Sequence, residues 1–196
     1  LATGVQAIEK EIQANGTDVD KECLHYTLHM EAGSSDITFQ EGLKRDCAPD
    51  GSLLSARTTS SGAGMRFADF CAHPHSVQAG LTAAHVLALR LYTMAVYRSL
   101  NNPMRDTARA GPHPLPITMN CIAEAIRRLR AVSANQEDAN EGVALWRGLR
   151  DMKVPQDFLR SGGTELAPMS TTTDLSVAIK YSASSSSVLL KLETSS

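Results

Sequence analysis

No G-x-G-x-x-G and no G-x-x-x-x-G-K-[ST] occurs in the 196 residues, so the usual phosphate cradles of dinucleotide and nucleotide folds are absent. The cysteines, Cys23, Cys47, Cys71 and Cys121, are scattered without a C-x-x-C pair, which excludes a zinc ribbon and a dense disulfide scaffold and fits a reducing, intracellular home, the cytoplasm being the expected compartment. Thirteen glycines and eight prolines are too few for a fibrous or disordered chain. The longest apolar stretch, Leu81 to Tyr97, is interrupted by His85 and Arg90 and falls short of a bilayer span, so no transmembrane segment is expected. A formal charge of -2 and a pI near 6.3 provide no field to collect nucleic acid, and none is expected as a partner. Glu9, Lys10 and Glu11 stand where a cleavable signal would be apolar, and the start at Leu1 reads as a piece of something longer.

Hydrophobic residues at 42% and charged residues at 20% are the balance of a globular protein with one ordinary core. Thr3-Gly-Val-Gln6 has capping-box spacing, Val5, Ile8 and Ile12 share one helical face, and Asn15-Gly16 closes the segment. Thr17 to Asp20 starts a second helix with Leu24 and Leu28 on one face and Gly33 as its stop. Asp36 to Arg45 reads as a short third helix. Ala48 to Gly64 lacks periodicity and reads as a tether, so residues 1–64 are expected to be a helical extension with linker and residues 65–196 the main domain.

Gln78 to Leu100 is apolar nearly all round and predicts one long buried helix that ends at Asn101-Asn102-Pro103. Gly111 to Pro116 is an extended loop in which Pro116 opens the next helix, over 117–132, with Ile122, Ala125, Ile126 and Leu129 on its buried face. After a polar loop, Ser133 to Gly142, the texture changes. Val143 to Leu149, Glu165 to Thr171 and Ser187 to Glu193 are short runs that predict strands, and Asp174 caps a helix containing Leu175, Val177, Ala178 and Tyr181. Helices followed by strands indicate an α+β fold with an antiparallel sheet.

Arg147 stands mid-strand between Trp146 and Gly148, where a guanidinium needs an anionic partner. Its planar fork suits a ligand carboxylate or pyrophosphate, or else a structural pairing with Glu165 or Asp174. Gly148 removes a side chain and would let a planar ligand approach the backbone. Ser170, Thr171, Thr172 and Thr173 are four consecutive hydroxyls at a strand end, readable as capping residues or as short donors lining a pocket. Cys71, His73 and His75 look like a metal cluster on paper but lack a second ligand pair, and a loop histidine capping the next helix accounts for them better. His25 and His29, four apart, lack a carboxylate partner in an H-E-x-x-H pattern and read as surface residues. No metal is expected. Trp146, the single tryptophan, either stacks on a ligand or fills the space beside the sheet.

Taken in order, Leu145-Trp-Arg-Gly-Leu149, Phe158, Gly162-Gly163, Met169-Ser-Thr-Thr172, Ala178 and Tyr181 resemble the arginine-type (R-S-E) mono-ADP-ribosyltransferases. Ala88-Leu-Arg-Leu-Tyr-Thr93, Tyr97, Leu100-Asn101 and Met104-Arg105 are similar to the family's helix ahead of the catalytic sheet. The likeness spans Leu81 to the end and is sharpest from Leu145 to Ser182. It implies an incomplete ADP-ribosyltransferase-like antiparallel core after the N-terminal helices.

By that resemblance Arg147 would hold NAD from its nicotinamide-ribose and phosphate side, and the Gly148 backbone would meet the nicotinamide amide. Ser170 would sit against the ribose and orient the catalytic glutamate, with Thr171 and Thr172 completing the cofactor-binding hydroxyls. Thr172 stands where the family more often has serine. Breaking the nicotinamide–ribose bond builds positive charge on the sugar, which a neighbouring carboxylate stabilises, and a second acid takes the acceptor's proton. The family's Glu-x-Glu lies beyond its Ser-Thr-Ser. Here Asp174 and Glu193 follow Thr172 without forming that motif, so the catalytic glutamate is expected past Ser196. The implied activity is transfer of ADP-ribose from NAD to a protein acceptor, arginine foremost, with release of nicotinamide. The alternative is a catalytically silent module of the same fold serving a larger assembly.

Overall fold

The computed structural model describes residues 2–29, 67–133 and 143–193. The expected helix at Asp36 to Arg45, its neighbouring stop at Gly33 and the tether at Ala48 to Gly64 lie outside these residues. The chain forms two compact units, Leu1–Ser133 and Ala134–Ser196.

In the first unit, α1 (Ala2–Asn15) and α2 (Asp18–His29) form where the apolar spacing places them. Ile8 and Ile12 are fully buried, and the Gly16 N–H donates to the Ile12 carbonyl at 2.8 Å to close α1. The start is earlier than the capping-box pattern indicates: α1 is already helical at Ala2, so Thr3 lies within its first turn. The α2 start follows the sequence. Thr17 and Asp20 cap each other, the Asp20 N–H donating to Thr17 Oγ1 at 3.2 Å and the Thr17 N–H to Asp20 Oδ2 at 2.8 Å.

The long helix expected over 78–100 is broken into pieces. After α3 (Phe67–Ala72), α4 (Pro74–Gln78) ends where that helix was to begin, and α5 (Ala83–Tyr92) and α6 (Tyr97–Arg105) follow. The first break is chemical: Thr82 caps α5 by accepting from the His85 N–H, while His85 Nδ1 accepts from the Thr82 N–H at 3.1 Å. At this break Ala79 is buried and Leu81 half-buried, while Gln78, Gly80 and Thr82 are exposed, unlike Ala84 to Ala88 in the helix that follows. The stop expected at Asn101-Asn102-Pro103 is displaced to Arg105, with Pro103 inside α6. Asn101 is buried and donates to the Tyr92 hydroxyl at 3.3 Å, and Arg109 Nε donates to the Pro103 carbonyl at 2.9 Å. These contacts hold the turn that proline by itself would loosen.

Helix α7 (Pro116–Ser133) opens on its proline as expected. Thr118, Ile122 and Ala125 form its buried stripe, whereas Ile126 is 47% exposed and Leu129 half-buried, so the apolar face is narrower than the sequence suggests. Ile8, Ile12, Leu24, Leu87, Leu91, Leu100, Leu115 and Ile122 close into one core. Each such burial is worth roughly 1.5–3 kcal/mol. The first two helices share the core of α5–α7, and the compact units divide at Ser133/Ala134.

The second unit contains β1 (Ala144–Arg150), α8 (Gln156–Ser161), α9 (Leu175–Ser182) and β2 (Ser187–Glu193). The two strands pair antiparallel with Arg147 opposite Leu190 and Gly148 opposite Leu189. The third expected strand, Glu165 to Thr171, does not form, and a single bridge between Trp146 and Thr172 stands in its place. Pro168 supplies no N–H to a ladder, and the Glu165 side chain accepts from the Ala167 N–H at 3.1 Å, favouring a local turn. The fold is α+β in its broad sense, with helices followed by an antiparallel strand pair. Among the described residues no helix is long and apolar enough to cross a membrane.

Candidate functional site

The site expected from sequence lies within the second unit and starts from the pleat of β1. Successive side chains alternate between faces, so Leu145, Arg147 and Leu149 share one face and Trp146 and Gly148 the other. Cross-strand pairing adds Val188, Leu190 and Leu192 to the Arg147 face. Arg147 therefore stands at the centre of five half-buried aliphatic side chains.

Its guanidinium does not pair with Glu165 or Asp174. Arg147 Nη1 donates to the Ser170 carbonyl at 3.0 Å, and among the described residues Arg147 makes no ion pair. Asp174 is engaged elsewhere: Oδ1 accepts from the Ser176 N–H at 2.8 Å as the α9 cap, and that hydrogen bond holds its carboxyl below the usual carboxylate range. The structure thus joins Arg147 to the hydroxyl segment, through the backbone of Ser170.

Gly148 has a different reason from the one its sequence position suggests. A Cβ on Gly148 would lie 2.0 Å from the Ala178 carbonyl oxygen and 2.7 Å from the Ser182 nitrogen. Helix α9 fills the space a side chain would need, so on that face the glycine admits a helix and no ligand. Its main-chain groups face a third direction, in the plane of the sheet. The Trp146 N–H donates to the Thr172 carbonyl at 2.7 Å and the Thr172 N–H to the Trp146 carbonyl at 2.9 Å, both away from β2. In an antiparallel ladder residues two apart point their main-chain groups the same way, so the Gly148 N–H and C=O also point away from β2. This donor and acceptor beside the bridge are not legible in residue type; only the register reveals them.

The hydroxyl run divides by role. Thr172 Oγ1 accepts from the Asp174 N–H at 3.1 Å and shapes the turn into α9, while Ser170 and Thr171 are exposed next to the Arg147 contact. The local-turn reading thus holds for Thr172. Upstream, Gly162 closes α8 with φ of 70° and its N–H donates to the Phe158 carbonyl at 2.8 Å. The Phe158 ring lies against Gly163, where an added Cβ would be 2.8 Å from it. Trp146 is half-buried, with Lys191 Nζ 5.8 Å from its ring centroid. Glu193, the other acid after Thr172, pairs with Lys191 at 2.6 Å, which lowers its pKa.

The other sequence candidates lie in the first unit. His73 caps α4, its Nδ1 accepting from the His75 N–H at 3.3 Å, as the loop reading expected. Among the described residues no three His, Cys, Asp or Glu side chains gather as a metal set, and burial raises the Cys71 pKa. His25 and His29 are exposed on successive turns of α2. No family model matches the chain, and no curated protein or solved structure matches it either.

Proposed function

We propose that residues 143–193 carry the NAD-binding part of an ADP-ribosyltransferase-type site, in a protein that transfers ADP-ribose from NAD to a protein acceptor, with arginine the acceptor implied by the resemblance. The observation that carries this reading is the junction of Arg147 with the Ser170 carbonyl at 3.0 Å, beside the outward N–H and C=O of Gly148.

The donor set fits a dinucleotide of this chemistry. Gly148 offers one acceptor and one donor to a carboxamide, as an amide edge requires. Arg147 holds a delocalised charge among aliphatic neighbours, where a phosphate or ribose oxygen gains more from it than in water. Ser170 and Thr171 add short donors. The apolar wall of Leu145, Leu149 and Leu190 lowers the local dielectric around that charge. The transfer itself needs a carboxylate beside the ribose, and the resemblance assigns it to a Glu-x-Glu expected past Ser196.

The test is to incubate a longer protein that includes this chain with labelled NAD and to follow both acceptor labelling and nicotinamide release. Arg147→Lys should weaken NAD binding about tenfold or more, as loss of charge-assisted bonds worth roughly 1.5–3 kcal/mol would give. If NAD neither binds nor turns over and Arg147→Lys changes nothing, the reading fails. The silent module of the same fold is the second reading; Asp174 and Glu193, the acids after Thr172, are engaged in structural contacts and supply no catalytic pair in either reading. NAD binding without nicotinamide release by the longer protein would select the silent module.

A further inference from the structure

The main-chain groups of β2 divide between its two edges. The Trp146–Thr172 bridge turns the Trp146 N–H and C=O away from β2, so Arg147 and Leu190 are a hydrogen-bonded pair of the ladder. By the same alternation Val188, Leu190 and Leu192 bond to β1, while Ser187, Leu189, Lys191 and Glu193 aim their N–H and C=O at the opposite edge. Among the described residues nothing bonds to those main-chain groups. The edge runs for seven residues, SVLLKLE, without proline or glycine. Its one deterrent cation, Lys191, is answered within the strand by Glu193 at 2.6 Å.

The second unit also has little else to hold its sheet. Among its described residues Ala167 and Ala178 are the only buried apolar side chains, and Leu189 stands mid-strand 40% exposed. Two strands are marginal by themselves, and further strands on the same apolar face give a sheet independent stability.

We propose that the open edge of β2 pairs antiparallel with β2 of a second copy of this chain, joining two strand pairs into one continuous sheet. The strand is complementary to itself. With Leu190 opposite its own counterpart, all seven residues pair. Val188 then faces Leu192 and Leu190 faces Leu190, so aliphatic side chains meet aliphatic ones on the Arg147 face. On the other face Leu189 lies beside the Lys191 stem and Ser187 faces Glu193, with no like charges directly opposite. Every outward N–H and C=O gains an outward partner. Sliding the second strand by one residue would set outward groups against inward ones. Sliding it by two would set Lys191 against Lys191 in one direction and carry Leu192 and Glu193 past the end of the partner strand in the other. The pattern therefore selects a copy of this strand, in a single register.

Sedimentation equilibrium of the whole chain over the micromolar range tests the pairing, and a monomer–dimer equilibrium is expected. Leu189→Pro removes a donor that faces only the second copy, so it should weaken the dimer about tenfold or more while the β1–β2 ladder keeps its bonds. A second variant fixes the register. Residues opposite each other without mutual hydrogen bonds have Cα atoms about 4.5 Å apart, so Leu190→Cys should give a covalent dimer on mild oxidation. Leu192→Cys, opposite Val188, should not, and the parent chain with its own cysteines supplies the background. A chain that stays monomeric overturns the proposal, as does a dimer that Leu189→Pro leaves intact or in which Leu190→Cys cross-links no better than Leu192→Cys.

Discussion

Glu11 on α1 and Thr118 in the first turn of α7 are 107 residues apart and joined by two hydrogen bonds: the Thr118 N–H donates to Glu11 Oε2 at 2.9 Å and its hydroxyl to the same oxygen at 2.7 Å. The Ile117 N–H donates to Oε1 at 2.6 Å. Helix α7 therefore has its open N–H groups closed by a carboxylate from another helix, which also answers the positive end of its dipole.

Glu11→Ala should destabilise the first unit by about 2–3 kcal/mol, since it leaves buried donors unsatisfied at a helix start. Glu11→Gln should lose less, because the amide oxygen still accepts. Urea unfolding followed by circular dichroism measures both. A Glu11→Ala midpoint equal to that of the parent chain would refute this account of the α1–α7 contact.

Gly148→Ala should destabilise the second unit by roughly 3 kcal/mol or displace α9, because the new Cβ meets main-chain atoms of Ala178 and Ser182, which cannot yield like a flexible side chain. Hydrogen exchange should show α9 amides losing protection without any ligand present. Unchanged α9 protection would mean that the helix does not pack on Gly148.

Glu124 gives the first unit an acid sensitivity. Hydrogen bonds from Arg128, and then from His85, lower its pKa from the ordinary 4.5, so the folded state favours the charged carboxylate more than the unfolded chain does. That stabilisation is complete above the unfolded value and fades as pH falls below about 4.5 through the lower folded value. Glu124→Gln should flatten the stability profile in that acid range and leave its slope near neutrality unchanged. Thermal melts across the range test this, and parallel profiles would contradict it.

Thr82→Ala should cost the α5 start about 1 kcal/mol, the usual loss for a removed hydroxyl cap. Its effect should appear in the melting temperature of the first unit. The double variant with His85→Ala should fall short of the two separate losses, because the two residues cap one another. Strict additivity would show that the reciprocal pair is not coupled.

The sequence is most legible where one element's own residues decide its form. Ile8 and Ile12, Pro116, the Thr17–Asp20 start, the Asp174 cap and two of the three strands all follow from neighbours within four positions. Arg147 and Ser170 are named together only by likeness and order, since their residue types alone fit an ordinary ion pair and a helix cap equally well, and the bond that joins them uses the Ser170 main-chain oxygen. Trp146 and Thr172 show the limit: their hydrogen bonds join main-chain groups, which carry no residue signature.

By itself, then, the sequence determined which segments turn and which extend, because spacing and capping act over one or two helical turns or across a pleat. Tertiary structure decided the rest. It closed α7 with Glu11 and gave Gly148 to the packing of α9, whereas the break at Thr82 and the passage of α6 beyond Pro103 rest on polar partners only three to nine residues away. Thr118 is answered by a carboxylate 107 positions distant and Gly148 by the main chain of another element, and local periodicity holds no information about such partners.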